Sequence, residues 1–200
     1  MRELKINKRA DPAYVKAFTT LVRRLLRSAK VAPGAPLTMF LAGGAAMHFY
    51  TGARMTDDVD VVFDRKLLVS GDLVVIYRDA DGGARSVHFD ANYNDTFAVM
   101  HEDAHQDAVR LPLRGIPGAR IFVLQPVDLA VSKLARFSEI DRGDILELAR
   151  QGLVTAQALR ARAEAALSYY VGNSVPVRTS IELACRDIEA LGQASGRRRN

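Results

Sequence analysis

Two aspartates one residue apart, Asp58 and Asp60, follow a pair of glycines, Gly43 and Gly44, across a short helical stretch. Side chains at i and i+2 of a strand point to the same face, about 7 Å apart. Two carboxylates placed in this way repel each other unless a cation lies between them, and a hard divalent cation prefers such oxygen ligands. The spacing therefore indicates a metal site. The alternative is a pair of solvated acids at a strand end that cap the chain or pair with Arg54.

The glycine pair lies between an apolar strand and the short helix. Free backbone N–H groups at the start of a helix suit a phosphate group. The glycines could instead serve a tight turn that sterics require. A metal site and a phosphate site at one sheet edge indicate phosphoryl or nucleotidyl transfer.

Further charged residues could complete such a site. Asp90 follows an apolar strand that could lie beside the aspartate strand, where it would be a third metal ligand or a base; otherwise it is a turn residue. Lys133 and Arg136, three apart on a predicted helix, share one face, and Lys133 either snorkels to water or reaches a phosphate. Asp141 and Asp144 begin the next helix and could simply cap it.

The histidines and the cysteine give weaker signals. The four histidines lack zinc spacing with cysteine, so we interpret them as structural or surface groups; they are His48, His88, His101 and His105. Cys185 lies in a predicted helix, where a buried apolar role is favoured over a reactive one. A single cysteine also fits a reducing compartment.

The composition indicates a basic globular protein. The chain has 200 residues and a net charge of +5, with arginine clusters at 23–27, 160–162 and 197–199. A basic surface attracts polyanions, so nucleic acid is a plausible partner, although solvated arginines would look the same. No apolar run approaches the roughly 20 residues that span a bilayer, and the start lacks a signal peptide's apolar segment. We therefore expect a cytoplasmic protein with no membrane partner.

Local patterns predict strands first and helices later. The helix Asp11–Ala29 has Asp11 as N-cap and Pro12 at its first position. The further predicted helices are Ala45–Tyr50, a short one within 97–107, one from Pro126 through Phe137, Asp141–Arg150, Thr155–Tyr170 and Thr179–Leu191, the last capped by Thr179 or Ser180. The predicted strands are Leu37–Leu41, Val59–Phe63, the hairpin Asp72–Tyr77 and Ala84–Phe89, and the pair Ala108–Leu113 and Arg120–Leu124.

These residues resemble the minimal nucleotidyltransferase superfamily, which has the DNA polymerase β-like fold. Its signature is a Gly-Gly or Gly-Ser turn, a spacer and Asp-x-Asp at a strand end, matched here by Gly43-Gly44 and Asp58-Val59-Asp60. The stretches 43–60 and 126–144 are similar to its AbiEii-type branch of toxins. The resemblance implies an α/β (α+β) fold, a nucleotidyltransferase core with a mixed β-sheet and flanking helices plus C-terminal helices. We place the core at 1–125, the helical portion packed on it at 126–195, and a basic tail at 196–200.

The resemblance also implies roles for particular residues. The implied catalytic residues are Asp58, Asp60, Asp90 and Lys133, and the first three are also the ligands of Mg²⁺ or Mn²⁺. The implied nucleotide-binding residues are Gly43, Gly44, Arg54, Thr56, Lys133, Arg136 and Asp144.

The implied activity is metal-dependent transfer of a nucleoside monophosphate from an NTP to an acceptor, with pyrophosphate leaving. In the toxin branch the acceptor is often a tRNA 3′ end, which implies the toxin of a type IV-like toxin–antitoxin system with a cognate antitoxin as partner. Two alternatives remain: a nucleotidyltransferase that modifies a small molecule or a protein, and a non-catalytic member that binds nucleotide or an antitoxin.

Overall fold

The chain forms two compact units. The computed structural model describes residues 3–32, 34–68, 73–90 and 92–197. One unit comprises Met1–Tyr93 and Ala108–Leu124, and the other comprises Asn94–Asp107 and Gln125–Asn200. The first unit contains both sheets, and the second is helical in its described part. The predicted α/β class with C-terminal helices is confirmed, whereas the division at residue 125 into domains stays a prediction.

The described part of the first unit contains two helices and two mixed sheets. Its helices are α1 (Pro12–Ser28) and α2 (Gly43–Thr51), and its strands are β1 (Leu37–Leu41), β2 (Asp58–Val59), β3 (Val61–Phe63), β4 (Val74–Arg78), β5 (Ala84–Phe89), β6 (Val109–Arg110) and β7 (Ala119–Val123). One sheet has the order β3-β1-β7-β6, and the other has the order β2-β5-β4. The pairs β1–β7 and β2–β5 are parallel. The remaining pairs are antiparallel, including the predicted hairpin β4–β5.

The first helix begins as the sequence predicts. Asp11 is its N-cap, and the carboxylate accepts a hydrogen bond from Ala13 N at 2.6 Å. The apolar side of α1 packs on the three-stranded sheet, where the rings of Tyr14 and Tyr77 lie 6.2 Å apart. Burying that apolar stripe supplies more stability than helix propensity alone. The cap and the packing together hold α1 against the sheet that carries the aspartates.

Two predicted strands are shorter than expected. The segment predicted as Val59–Phe63 divides into β2 and β3, which belong to different sheets. The segment predicted as Ala108–Leu113 is a strand at Val109–Arg110, where it pairs with β7. Proline has no backbone N–H to donate to a strand partner, and Pro112 follows this pairing closely.

The second unit is a helical assembly. Its elements are a 3₁₀ helix at Asp95–Phe97 and the helices α3 (Pro126–Ser132), α4 (Glu139–Arg150), α5 (Ala156–Ala166) and α6 (Ser174–Arg197). Thr155 caps α5 as predicted. The predicted caps Thr179 and Ser180 are wrong, because both lie inside α6. Their hydroxyls donate to carbonyls four residues earlier, a bond available within a helix.

Buried ion pairs connect the helices of this unit. The Arg162 guanidinium on α5 donates to both carboxylate oxygens of Asp128 on α3, at 2.7 and 3.0 Å, and to Asp107 at 2.7 Å. Asp128 is only 1% exposed, so its charge needs this partner. Cys185 is buried on α6, as the sequence predicts.

Three sequence features lie outside the described residues. These are Pro33 in the turn after the first helix, Asp72 at the predicted start of the hairpin, and residues 198–200 of the basic tail. Within the described ranges, none of the helices combines the length and the hydropathy that crossing a membrane requires.

Candidate active site

Asp60 lies at the corner where the chain passes from one sheet to the other. The preceding strand β2 pairs with β5, and the following strand β3 pairs with β1. The carbonyl oxygen of Asp60 accepts a hydrogen bond from Ala42 N at 3.0 Å. Strands that switch between sheets bend at such corners. The corner therefore fixes the Asp60 backbone beside the residue that precedes α2.

The glycine pair makes room for two side chains. A Cβ at Gly43 would lie 1.6 Å from Oδ2 of Asp60, and a Cβ at Gly44 would lie 2.8 Å from Cβ of Thr56. Gly43 also has a φ of +55°, in the left-handed region that favours glycine. The close approach of Asp60 and Thr56 to the backbone therefore requires glycine at both positions. The Asp60 carboxylate lies against the first residue of α2.

The start of α2 also keeps the features that suit a phosphate group. Its N-cap residue, Ala42, makes no side-chain capping hydrogen bond. Backbone N–H groups in the first turn of a helix lack intrahelical acceptors, and the helix dipole favours an anion there. Phosphate binding by Gly43 and Gly44 remains a prediction that this geometry permits.

Asp90 lies at the same sheet edge as Asp60, because β5 lies beside the aspartate strand as the sequence predicts. In the parallel register, Val59 is opposite Phe89, so the next positions are Asp60 and Asp90. The Asp90 N–H donates to the Val59 carbonyl at 3.1 Å, and its carboxylate accepts from Asn92 N at 2.8 Å. Both aspartates thus follow the carboxyl ends of adjacent parallel strands.

A cleft of about 600 Å³ opens on this part of the first unit. Its lining residues are Asp58, Leu73, Val74, Ser86, His88, Phe89, Asp90 and Asn92. Two of the three predicted metal ligands therefore line one cleft. The third, Asp60, is placed against the glycine turn.

His88 lines this cleft, and the sequence interpretation of it as a structural or surface group stays a prediction. Its Nε2 lies 2.9 Å from Oδ1 of Asp58, because the two residues are direct neighbours on β5 and β2. The spacing of His88 and Asp90 at i and i+2 is a signal that could have placed both on one strand face. The pairing of β5 with β2 was needed to bring His88 to Asp58.

The donor set fits a hard divalent cation. Asp58, Asp60 and Asp90 offer carboxylate oxygens, the ligands that Mg²⁺ and Mn²⁺ prefer. The absence of a Cβ at Gly43 leaves the space that the Asp60 carboxylate occupies. Among the described residues, no three His, Cys, Asp or Glu side chains are already grouped closely enough to hold a metal ion. The convergence of all three aspartates on one cation therefore stays a prediction.

A buried histidine fixes the loop that carries Arg54 and Thr56. Burial lowers the pKa of His48 and favours the neutral imidazole. Its Nε2 accepts from Asp11 N at 2.9 Å, so its Nδ1 carries the proton and donates to the Arg54 carbonyl at 2.9 Å. The methyl and hydroxyl groups of Thr56 lie against Gly44. The structure thus places Thr56 at the glycine turn, and the nucleotide-binding roles of both residues stay predictions.

Lys133 lies in the second unit within a buried charge network. Its ammonium is 2.7 Å from Asp144 Oδ2 and 3.6 Å from Asp141 Oδ1. Arg136 adds two hydrogen bonds to Asp141, at 2.6 and 2.7 Å. Burial by itself raises the pKa of Asp141, but hydrogen bonds from Arg136 and Ser138 and the charge of Lys133 outweigh it and hold this pKa at about 2.

The predicted helical pairing of Lys133 and Arg136 is wrong. The helix α3 ends at Ser132, Lys133 is its C-cap, and Arg136 lies in the turn before α4. The two cations meet through Asp141, which forms a capping box with Ser138 at the start of α4. The capping alternative for Asp141 is thus confirmed. The nucleotide-binding roles of Lys133, Arg136 and Asp144 stay predictions.

Aspartates at the ends of adjacent strands, beside a glycine turn that opens a helix, are the features by which the sequence resembles nucleotidyltransferases. A comparison with known families supports the same class. Residues 24–189 match the family described as nucleotidyltransferase of unknown function (DUF6036), and the chain belongs to that family. The protein is therefore a nucleotidyltransferase. Searches of curated proteins and of solved structures found no match.

Proposed function

We propose that this nucleotidyltransferase transfers a nucleoside monophosphate from an NTP to RNA, at the 3′ end of tRNA, with Mg²⁺ or Mn²⁺ as cofactor. The observation that carries the proposal is the position of Asp60 and Asp90 after adjacent parallel strands, with Asp60 against Gly43. Carboxylates beside a helix start suit a metal-bound triphosphate.

The three aspartates and the glycine turn would have different roles in transfer. Asp58, Asp60 and Asp90 would hold the metal, which when bound neutralises charge on the transferred phosphoryl group and on pyrophosphate. First-turn N–H groups of α2 would donate to the NTP phosphates. The acceptor hydroxyl oxygen bonds to the α-phosphorus as the bond to pyrophosphate breaks. Asp90 would accept the proton that this hydroxyl loses.

Residues outside the cleft are proposed to position the nucleotide. Lys133 would contact the phosphates as a compact cation, with Asp144 orienting its ammonium from 2.7 Å. Arg136 would act beside it. Arg54 and Thr56 would contact the nucleotide from the loop that packs on the glycine turn.

RNA is the proposed acceptor because the chain carries a net charge of +5. A cationic surface raises the encounter rate with a polyanion and disfavours a cationic small molecule. The similarity to the AbiEii-type branch supports a role as the toxin of a type IV-like toxin–antitoxin system, with a cognate antitoxin as partner.

The direct test is incubation of the purified protein with total tRNA, Mg²⁺ and each α-labelled NTP in turn. We expect label at the 3′ end of tRNA with at least one NTP, and none with Asp60→Ala. The matched control is Asp64→Ala, a nearby acid that pairs with Arg65, which should label tRNA normally. Undiminished labelling by Asp60→Ala would refute the site. Labelling of a protein or a small molecule alone would refute RNA as the acceptor.

The toxin role needs a separate test in growing cells. Expression of the wild-type protein should arrest growth, and Asp58→Ala should relieve the arrest at equal protein level. Equal growth arrest by both proteins would refute poisoning through the enzymatic site. Normal growth with the wild-type protein would refute the toxin role itself.

A further inference from the structure

The solvent-facing side of α1 carries four cations and no carboxylate. All four are exposed, and the helix sequence contains neither aspartate nor glutamate. With about 100° between successive residues, Lys16, Arg23 and Arg27 fall on one line and Arg24 lies beside it. The line is about 16 Å long at a rise of about 1.5 Å per residue. We call Lys16, Arg23, Arg24 and Arg27 the basic stripe.

Among the residues that the structure describes, no acid neutralises the charge of the basic stripe. Arg23 donates to the Gly115 carbonyl at 2.9 Å, and Arg24 donates to the Val74 carbonyl. A carbonyl oxygen orients a guanidinium but leaves its positive charge in place. Within the described ranges, no carboxylate pairs with any member of the basic stripe. Elsewhere many arginines do form ion pairs, among them Arg65, Arg85, Arg110, Arg136, Arg142, Arg150, Arg162 and Arg178.

The basic stripe reaches the rim of the catalytic cleft through Arg24. Its hydrogen-bond acceptor, Val74, lines the cleft together with Asp58 and Asp90. Val74 begins β4, which is an edge strand of the three-stranded sheet. Ile76, on the same strand face, is 80% exposed and offers an apolar surface to a nucleobase. Cationic and apolar surfaces thus meet at one border of the cleft.

We propose that the basic stripe of α1 is the docking surface for the phosphate backbone of the acceptor RNA, which crosses Arg24 and the β4 edge to reach the cleft. This inference rests on the proposed function, because it assigns the path of that acceptor. Guanidinium groups bind phosphate through two parallel hydrogen bonds. A row of cations without acids suits a chain of phosphodiesters.

A membrane surface fits the basic stripe less well than RNA does. A helix that lies on a bilayer inserts large apolar side chains between its cations. The large apolar side chains of α1 instead face the protein core, and none is exposed. Acidic lipid is therefore an outcome of the test and not the expected partner.

The test is binding of a short fluorescein-labelled RNA to the full-length protein, followed by anisotropy over a range of salt concentrations. The variant Lys16→Gln/Arg27→Gln removes two cations that make no side-chain hydrogen bond in the described residues. The matched control Arg160→Gln/Arg186→Gln removes two exposed arginines of the second unit. Each lost phosphate contact lowers the slope of log K against log salt by about 0.7 for a single strand.

We expect the stripe variant to lose about 1.4 from this slope and about 25-fold in affinity near 0.1 M salt. The control should stay close to the wild type. Equal losses in both double variants, or none in either, would overturn the docking surface. Binding of the wild type to phosphatidylserine vesicles but not to RNA would also overturn it.

A second comparison separates this inference from the proposed function. Asp60→Ala should bind RNA as the wild type does, because the basic stripe is intact. In the labelling assay, the stripe variant should raise KM for tRNA and leave kcat unchanged. An unchanged KM would refute the docking surface even if transfer occurs. RNA binding through the stripe without any labelling would refute the proposed transfer and leave the docking surface standing.

Discussion

Replacing Gly43 by alanine should disable transfer far more than it destabilises the protein. The new Cβ would lie 1.6 Å from Asp60 Oδ2, so the oxygen would have to move about 2 Å to reach the roughly 3.5 Å of an ordinary nonbonded contact. A misplacement of about 1 Å in a catalytic group can cost about 100-fold in rate. Alanine at a φ of +55° also costs about 1–2 kcal/mol of stability.

Gly82→Ala is the matched control for the backbone part of this cost. Gly82 has a φ of +83°, and a Cβ there would meet nothing within 4 Å. Both variants should lose about 1–2 kcal/mol in urea unfolding, whereas only Gly43→Ala should lose about 100-fold or more in NMP transfer. Gly43→Ala activity within tenfold of Gly82→Ala would refute the placement of Asp60 against the glycine turn.

Three further perturbations test other parts of the structure. His88→Ala should lower transfer about 10–100-fold with the fold retained, because a contact to Asp58 is lost; unchanged single-turnover rates would contradict this. Arg162→Ala leaves the buried Asp128 carboxylate without its partner and should cost about 3–5 kcal/mol in urea unfolding. Arg178→Ala, at an exposed ion pair, should cost under about 1 kcal/mol. Similar costs for the two variants would argue against a stabilising buried ion pair between Arg162 and Asp128. Asp141 has a folded-state pKa of about 2, below its ordinary value. Its contribution of about 2 kcal/mol to the free energy of unfolding is therefore present above pH ~4 and is lost as the pH falls towards 2. An Asp141→Asn variant should lack this acid-dependent loss of stability in unfolding titrations.

Local signals in the sequence predicted the elements that depend on neighbouring residues. Asp11 and Pro12 fixed the start of α1, and the strand Leu37–Leu41 was predicted with the bounds it has. Capping and alternation act over a few residues, so they can be recognised without the fold. The diglycine and the aspartate pair were found for the same reason.

Features that depend on distant partners were not predictable from the sequence. The aspartate strand divides at Asp60 because its two parts pair with strands of different sheets. The contact between His88 and Asp58 requires the pairing of β5 with β2. The end of α3 at Ser132 accompanies the burial of Lys133 between two acids, which overrides a continuous helical pattern.

The rate of nucleoside monophosphate transfer by Asp60→Asn tests the central claim most directly. Asparagine keeps the size of the side chain against Gly43 but removes the charge that a divalent cation requires. The claim that Asp60 is a catalytic carboxylate predicts a native circular dichroism spectrum, wild-type RNA binding and no detectable pyrophosphate release with any NTP. Pyrophosphate release at the wild-type rate from Asp60→Asn would contradict it.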